Sequence, residues 1–252
     1  TNGSFSLDIK EEKVLVFSAL GYEIKKASSK SEVILLKPKV FELKEVVIEQ
    51  PKFKKEIEIG NYKTSGFRIG LGNINSAIFF NPNEDMLIYP FLKEVLFLTK
   101  SELENAKIRL NILSVNSDNS PGESLLDEEI IITVKKGKNK NIVDLTSYKF
   151  KVPNNGFFIS FEKLLIEENK YFYDINYKDQ NGKMVNYKAI TIEPELCFVQ
   201  EERDIVWQST INGIWTKTKK HILKNPKSYE NLLMRKYHDK YLVPSMKIIL
   251  TN

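Results

Sequence analysis

Two histidines, one cysteine and two tryptophans are the sparse side chains that could carry chemistry or stacking in this 252-residue chain. His221 sits in a basic stretch, KKHILK, and His238 near the end of NPKSYENLLMRKYHD. Neither begins a His-x-x-Glu or His-Glu-x-x-His run, so the partners that zinc needs are missing at ligand spacing. Both are expected at the surface. A serine hydrolase of the common α/β type would show a Gly-x-Ser-x-Gly elbow, and none occurs. Gly70-Leu71-Gly72 lacks the third glycine of a phosphate-binding turn and reads as a bend in a β segment. Cys197 is the single thiol, which excludes a disulfide framework and a thiolate metal site and leaves a small buried apolar residue.

Other candidates are weaker. Asp118, Asn119, Glu123, Asp127, Glu128 and Glu129 supply oxygens of the kind calcium takes, but not at EF-hand spacing. A solvated loop is the expectation there. Lys135 to Asn141, KKGKNKN, reads as a basic hairpin loop, which could meet phosphates or acidic partners and as a turn needs no function. Trp207 and Trp215 flank an Asn212-Gly213 turn. They are candidates for ligand or partner contacts, including stacking on sugar rings; the competing reading packs Trp207 with Phe157, Phe158 and Phe161 in a core. No catalytic residue, metal ligand or cofactor site is expected.

The elements that would position these residues are strands. In AKIRLNI, Ala106, Ile108, Leu110 and Ile112 alternate with Lys107, Arg109 and Asn111; in KYFYDINYK, Tyr171, Tyr173, Ile175 and Tyr177 alternate with Phe172, Asp174 and Asn176. Period two predicts strands with one buried face. Further strands are predicted at 5–9, 13–18, 32–36, 45–49, 92–98, 129–135, 148–152, 157–162, 184–192, 203–210 and 245–251. Asn181-Gly182 and Asn212-Gly213 suit type I′ hairpins, whose two central residues need positive φ. VPNNGFF is a further turn. One helix is predicted from Asn225 as N-cap, with Pro226 at its first position and Tyr229, Leu232, Leu233 and Tyr237 on one face. The fold class is therefore all-β: a small sandwich over 1–50, a charged linker over 51–65 that carries one strand, and a larger antiparallel sandwich over 66–252 with one short helix.

Composition narrows the function classes. Apolar residues are 42% and charged residues 28%, which suits a folded core rather than disorder. The net charge is +5, with Lys and Arg interleaved with Glu rather than gathered into a stripe, so nucleic acid is not expected as a partner. No run of eighteen apolar residues is present for a membrane-spanning helix. The chain opens on TNGSF without an initiator Met, as expected of a trimmed, exported protein.

An ordered set of short motifs adds a resemblance. Thr1, Gly3 and Phe5, then Ser18, Gly21 and Tyr22, then Leu35 and Leu36, then Leu43, Glu45, Val46, Val47 and Ile48 follow one another over about 50 residues. This set resembles the carboxypeptidase regulatory-like domain of Bacteroidota envelope proteins, a small non-catalytic β-sandwich. The resemblance implies that Gly3, Phe5, Gly21 and Tyr22 are structural, with Gly21-Tyr22 forming a corner. Two or three strands that precede the Thr-Asn-Gly turn in that family are not in this sequence. They lie upstream, or another chain completes the sheet. The rest, above all KNIVDLTSYKFKVPNNGFFISFE, resembles the C-terminal domains behind this module in Bacteroidota proteins and implies a jelly-roll-type strand set with no catalytic residues to carry over. The expected function is a non-enzymatic interaction scaffold or accessory subunit of an outer-membrane complex for transport, secretion or assembly. It would sit in the periplasm or at the outer membrane, with peripheral membrane association and an outer-membrane β-barrel as partner, docking by strand addition near 1–10 and 44–50. Alternatives are a carbohydrate-binding module and a hydrolase with a dispersed site.

Overall fold

Alternating aliphatic and polar residues make strands, and packing decides which face turns inward. In the computed structural model Ala106, Ile108, Leu110 and Ile112 are at most 1% exposed, while Lys107, Arg109 and Asn111 on the opposite face remain partly exposed. The structure describes residues 5–7, 13–19, 22–30, 33–38, 55–68, 75–178, 180, 182–210, 213–224 and 234–252. The chain divides into two units, Thr1–Ile48 and Glu49–Asn252.

In the first unit, β1 (Val14–Phe17) and β2 (Lys25–Ser28) form a two-stranded antiparallel ladder from Val14 opposite Ser28 to Phe17 opposite Lys25. Tyr22 makes an isolated bridge to Pro38. Residues 5–7 and 33–36, within segments predicted as strands, carry no strand pairing of their own. The predicted strand at 45–49 lies outside the described residues.

The second unit is an all-β sandwich. In chain order it comprises β3 (Glu56–Asn61), β4 (Phe67–Arg68), β5 (Asn75–Phe80), the helix α1 (Glu84–Ile88), β6 (Phe91–Ser101), β7 (Ala106–Val115), β8 (Pro121–Ser124), β9 (Ile130–Val134), β10 (Gly137–Asp144), β11 (Phe157–Lys163), β12 (Lys170–Lys178), β13 (Met184–Ile192), β14 (Glu195–Glu201), β15 (Val206–Ser209), β16 (Trp215–Lys217), β17 (Tyr241–Pro244) and β18 (Met246–Thr251). Every pairing among the described strands is antiparallel. One sheet runs β17-β14-β6-β18-β3, with β10 on β6 and β4 on β14. The other runs β16-β15-β5-β11-β7-β8, with β9 on β7. β12 and β13 pair only with each other.

The core lies between the two large sheets. Phe157, Ile159 and Phe161 of β11 face Ile78 and Phe80 of β5, Leu110 and Ile112 of β7, and Val95, Phe97, Met246 and Ile248 from the opposite sheet. Phe97 and Phe161 join the layers with ring centroids 4.5 Å apart. Before β11 the chain turns at Gly156, φ +82°, whose N–H donates to Pro153 O at 3.0 Å. A Cβ there would lie 2.6 Å from Phe80 O, so both conformation and space require glycine.

Several expectations are corrected. The one strand expected within the 51–65 linker is β3 at 56–61, but it belongs to the sandwich, as an edge strand whose Ile57 and Ile59 pack on the core. The basic segment Lys135–Asn141 is no hairpin loop: only Lys135 and Lys136 connect, and Gly137 begins β10, paired along β6. Lys138 and Lys140 are exposed on this edge strand, where charge opposes pairing with another chain. The predicted strand at 148–152 is a 3-10 turn at Thr146–Tyr148 followed by Lys149 at φ +47°. Its cause is local, since the Asp144 carboxylate accepts the Thr146 N–H at 2.8 Å and starts the turn. Of the predicted helix from Asn225, residues 225–233 lie outside the described residues, Arg235–Tyr237 form a 3-10 turn and His238 is extended. The α-helix seen is α1, capped by Asn83 Oδ1 accepting from Met86 N at 3.0 Å. Hairpins exist at both Asn-Gly sites, but pairing stops at Lys178–Met184 and at Ser209–Trp215, so each loop is longer than the two residues of a type I′ turn.

Candidate functional site

The sequence-predicted chemical residues do not gather into a reactive centre. His238 Nδ1 accepts the Leu223 N–H at 3.0 Å, which gives the ring a structural part. His221 is stitched to the next strand by its backbone, N–H to Lys240 O at 2.7 Å and O from Asp239 N at 2.8 Å. It helps line a cavity of about 260 Å³ with Gln208, Thr218, Lys219 and Lys220. Among the described residues no carboxylate lines that cavity, and the Lys220 ammonium is 3.2 Å from Asp239.

Among the described residues no three His, Cys, Asp or Glu side chains converge on a metal position. Asp118 turns its carboxylate onto its own loop, accepting from Ser120 N at 3.0 Å and Ser120 Oγ at 2.6 Å, and the Ser120 hydroxyl and N–H hold it below the usual carboxylate range. Cys197 is buried. Gly70-Leu71-Gly72, Gly3 and Gly21 lie outside the described residues.

Trp207 and Trp215 share the outer face of the second sheet. Trp207 stands opposite Ala77 on β5, and Trp215 opposite Ser209 on β15. Both pack on a small cluster formed by Ala77, Leu113 and Phe158, with Phe79 and Val115 beside them. Phe158 therefore lies on the opposite face from Phe157 and Phe161, and Trp207 covers it from outside rather than filling the main core. Lys217 lies over the Trp207 ring, 6.0 Å from its centroid.

Two other surfaces stand out by what they leave uncovered. In the first unit Phe5, Leu7, Val14, Val16, Ile24, Val33 and Leu35 are between 56% and 75% exposed, and none of its described residues is buried. Phe5 meets Phe17 with ring centroids 5.7 Å apart. Tyr22 closes a turn, its N–H donating to Ala19 O at 3.1 Å, and is 43% exposed. Lys25 Nζ donates to Leu35 O at 2.9 Å and Glu23 N to Lys37 O at 2.9 Å. These bonds order the backbone, but the apolar side chains have no second layer among the described residues.

The second surface is the β12–β13 arm, which the alternation in KYFYDINYK predicted as a strand but not as an arm. Its register pairs Tyr171 with Thr191, Tyr173 with Ala189, Ile175 with Tyr187 and Tyr177 with Val185. Opposed residues share a face, so this face carries four tyrosines and no charge. Tyr173, Ile175, Tyr177 and Tyr187 on it are exposed. The other face holds Lys170, Phe172, Asp174, Asn176 and Lys178 opposite Ile192, Ile190, Lys188, Asn186 and Met184. Phe172, Met184 and Ile190 there are exposed too.

The arm's root is fixed. Asn169, fully buried, accepts from Lys107 N at 2.7 Å and donates to Lys107 O at 2.7 Å and Leu164 O at 2.9 Å, while its own carbonyl accepts from Glu193 N at 2.8 Å. Next to it Lys163 and Glu195 form an ion pair across the two sheets at 3.3 Å, with side chains 9% and 5% exposed. No motif in the sequence marks Asn169 or this pair.

Comparison of the chain with protein-family models, with curated proteins and with solved structures found no match in any of the three.

Proposed function

We propose that the protein is a non-catalytic scaffold or accessory subunit of an outer-membrane protein complex, docked through its first unit by a strand that a partner inserts beside β1 and β2. One observation carries the reading: the described residues of the first unit expose seven large apolar side chains and pair only two short strands. An isolated two-stranded ladder is marginal in water, and three or more strands with a covered apolar face are what make such a sheet stable. A donated strand supplies backbone pairing at an open edge and apolar side chains for one face. The resemblance of the first 50 residues to the carboxypeptidase regulatory-like domain supports the same reading, because that domain needs further strands to close. In this reading the protein belongs to the envelope of a Bacteroidota cell, as members of that family do. The partner in this reading is an outer-membrane β-barrel complex.

The test is site-directed photocrosslinking in intact cells, with the reactive group at Val16 or Leu35 and a control at Lys138 on β10. The expected result is one discrete adduct from the first-unit positions, identified by mass spectrometry as a subunit of an outer-membrane barrel complex and lost in the Val14→Lys, Val16→Lys double variant. Adducts only within the chain, with the amides of β1 and β2 protected in the purified monomer, would show that its own polypeptide closes the sheet and would sink the proposal.

A further inference from the structure

The geometry points to the outer edge of β13 as an acceptor for an extended strand of another protein, one that alternates apolar and acidic residues. This inference concerns the second unit and does not rest on docking through the first.

The arm has the form of an unfinished sheet. Nine residues of β12 pair with nine of β13, a ladder about 30 Å long at strand rise, and among the described strands neither outer edge is paired. Long, regular edges with apolar faces are what proteins normally blunt. Here the root is held by Asn169 and by the Lys163–Glu195 pair, so the edge is presented in a fixed direction and little ordering remains for a partner to bring about.

Three occupants can be compared. A lipid surface takes one face of a flat arm and leaves the other in water. The uncharged tyrosine face would lie on lipid with Lys170, Asp174, Lys178 and Lys188 in water, but the N–H and C=O groups along both edges of the ladder, unpaired among the described strands, would then meet a medium that cannot satisfy them. A second copy pairing along the full length of β13 sets Lys188 opposite Lys188, and along the full length of β12 sets Asp174 opposite Asp174 and Lys170 opposite Lys178. Like charges directly opposed disfavour a pairing. A strand from a different protein escapes both objections. On β13 the single charge between Met184 and Ile192 is Lys188. Lys188 is exposed; Asp174 stands opposite it on β12, but the two form no ion pair within 4 Å, nor does Lys188 form one with any other described residue, and its ammonium lies 5.8 Å from the Phe172 ring centroid. A carboxylate on an added strand would sit opposite it, while apolar side chains at alternate positions would continue the tyrosine face.

The test uses the full chain and two synthetic ten-residue peptides, one alternating Val with Glu and one alternating Val with Lys. Fluorescence anisotropy at low salt reads binding, and amide hydrogen exchange reads its location. The acidic peptide is expected to bind about five- to tenfold more tightly than the basic one, as opposed charge pairs predict, and to slow exchange between 184 and 192. The Lys188→Glu variant should reverse the preference; because a glutamate there faces Asp174, it is read beside Lys188→Gln, which keeps the ladder free of like-charge opposition and should abolish the preference. Equal binding of both peptides, protection elsewhere than the arm, or an unchanged order in Lys188→Glu would overturn the assignment. So would arm-dependent dimers in sedimentation, or arm-dependent binding to phosphatidylglycerol vesicles without peptide selectivity. Crosslinking through the first unit is unaffected by Lys188→Glu, so failure of one proposal leaves the other standing.

Discussion

β7 and β12 carry the same period-two pattern in sequence and meet opposite fates. In β7 the inward set is Ala106, Ile108, Leu110 and Ile112, all but completely buried against β11 and the opposing sheet. In β12 the corresponding set is Tyr171, Tyr173, Ile175 and Tyr177, and three of these four are exposed. The difference lies in the residues that fill the pattern. Aliphatic side chains gain only by leaving water, so β7 has one stable arrangement, inside. A tyrosine has an apolar ring and a hydroxyl that water satisfies, and it tolerates a surface until a partner covers it. Alternation thus specifies a strand, and side-chain chemistry specifies whether its cover comes from the same unit.

The sharpest way to test that contrast is at the junction between sandwich and arm. Glu195→Gln leaves the Lys163 ammonium buried without its carboxylate, which costs about 3–5 kcal/mol. Replacing both partners together, Lys163→Met with Glu195→Met, should recover most of that loss. Denaturant unfolding followed by tryptophan fluorescence measures both, because Trp207 and Trp215 are the two tryptophans of the chain and both lie in the second unit. A Glu195→Gln variant as stable as the parent would show that the pair is not what fastens the arm's root. Next in size, Leu110→Ala on β7 should lower stability by about 2–5 kcal/mol, the range for truncating a fully buried leucine.

The residues behind these effects were unequally legible in the sequence. The strands at 92–98, 106–112, 157–162, 184–192 and 245–251 could be read because their apolar residues recur at period two or in short runs. A strand was expected in EIEIGN but its glutamates made it look like part of a linker rather than of the sandwich; in the fold Glu56 and Glu58 face Lys93 and Lys247 across the sheet, both at 2.6 Å. β10 was hidden by its lysines, which are the outward half of an edge strand. The turn at 146–148 depended on one Asp144 side chain, too local a device for periodicity to register. The candidate surfaces were half legible. Val14 and Val16 could be read as strand residues in the first unit, though not as exposed ones, whereas the arm required the pairing partners of β12 to be known. Sequence pattern located Trp207 and Trp215 near one turn and offered Phe158 as a packing partner of Trp207, but could not say that Phe158 lies on the opposite face from Phe157 and Phe161.

A smaller effect separates sandwich from arm through pH. Burial works to raise the Glu201 carboxyl, but hydrogen bonds from the Arg203 guanidinium and from the Arg203 and Glu202 N–H groups outweigh it and bring it from the ordinary 4.5 to about 2. A depressed folded-state value contributes stability above the unfolded value, lost as pH falls through the folded one. The loss should therefore run from about pH 4.5 down to about 2. Arg203 is 60% exposed, so solvent screening limits the contribution to about 1 kcal/mol. Comparing unfolding at pH 6 and pH 3 in the parent and in Glu201→Gln isolates it. A parent that loses no more than the variant would remove the role assigned to this pair. Amide exchange over the same range should loosen at β14 and β17, which hold Glu201 and its neighbour Tyr241, before it changes in the arm.

The smallest expected change is the most telling for function. Tyr187→Ser on β13 removes an exposed ring from the uncharged face, and Tyr173→Ser does the same on β12. If the face is covered only by a partner, unfolding of the isolated protein should shift by no more than about 0.5 kcal/mol for either variant, as for ordinary surface changes. The same substitutions should weaken binding of a strand to the arm, because tyrosines that are near-neutral alone become anchors once desolvated at an interface. Calorimetric unfolding of the two variants, set beside Leu110→Ala, places the three residues on one scale. A loss for Tyr187→Ser comparable to that of Leu110→Ala would mean the isolated chain already buries this face, and the contrast between β7 and β12 would then be one of degree rather than of role.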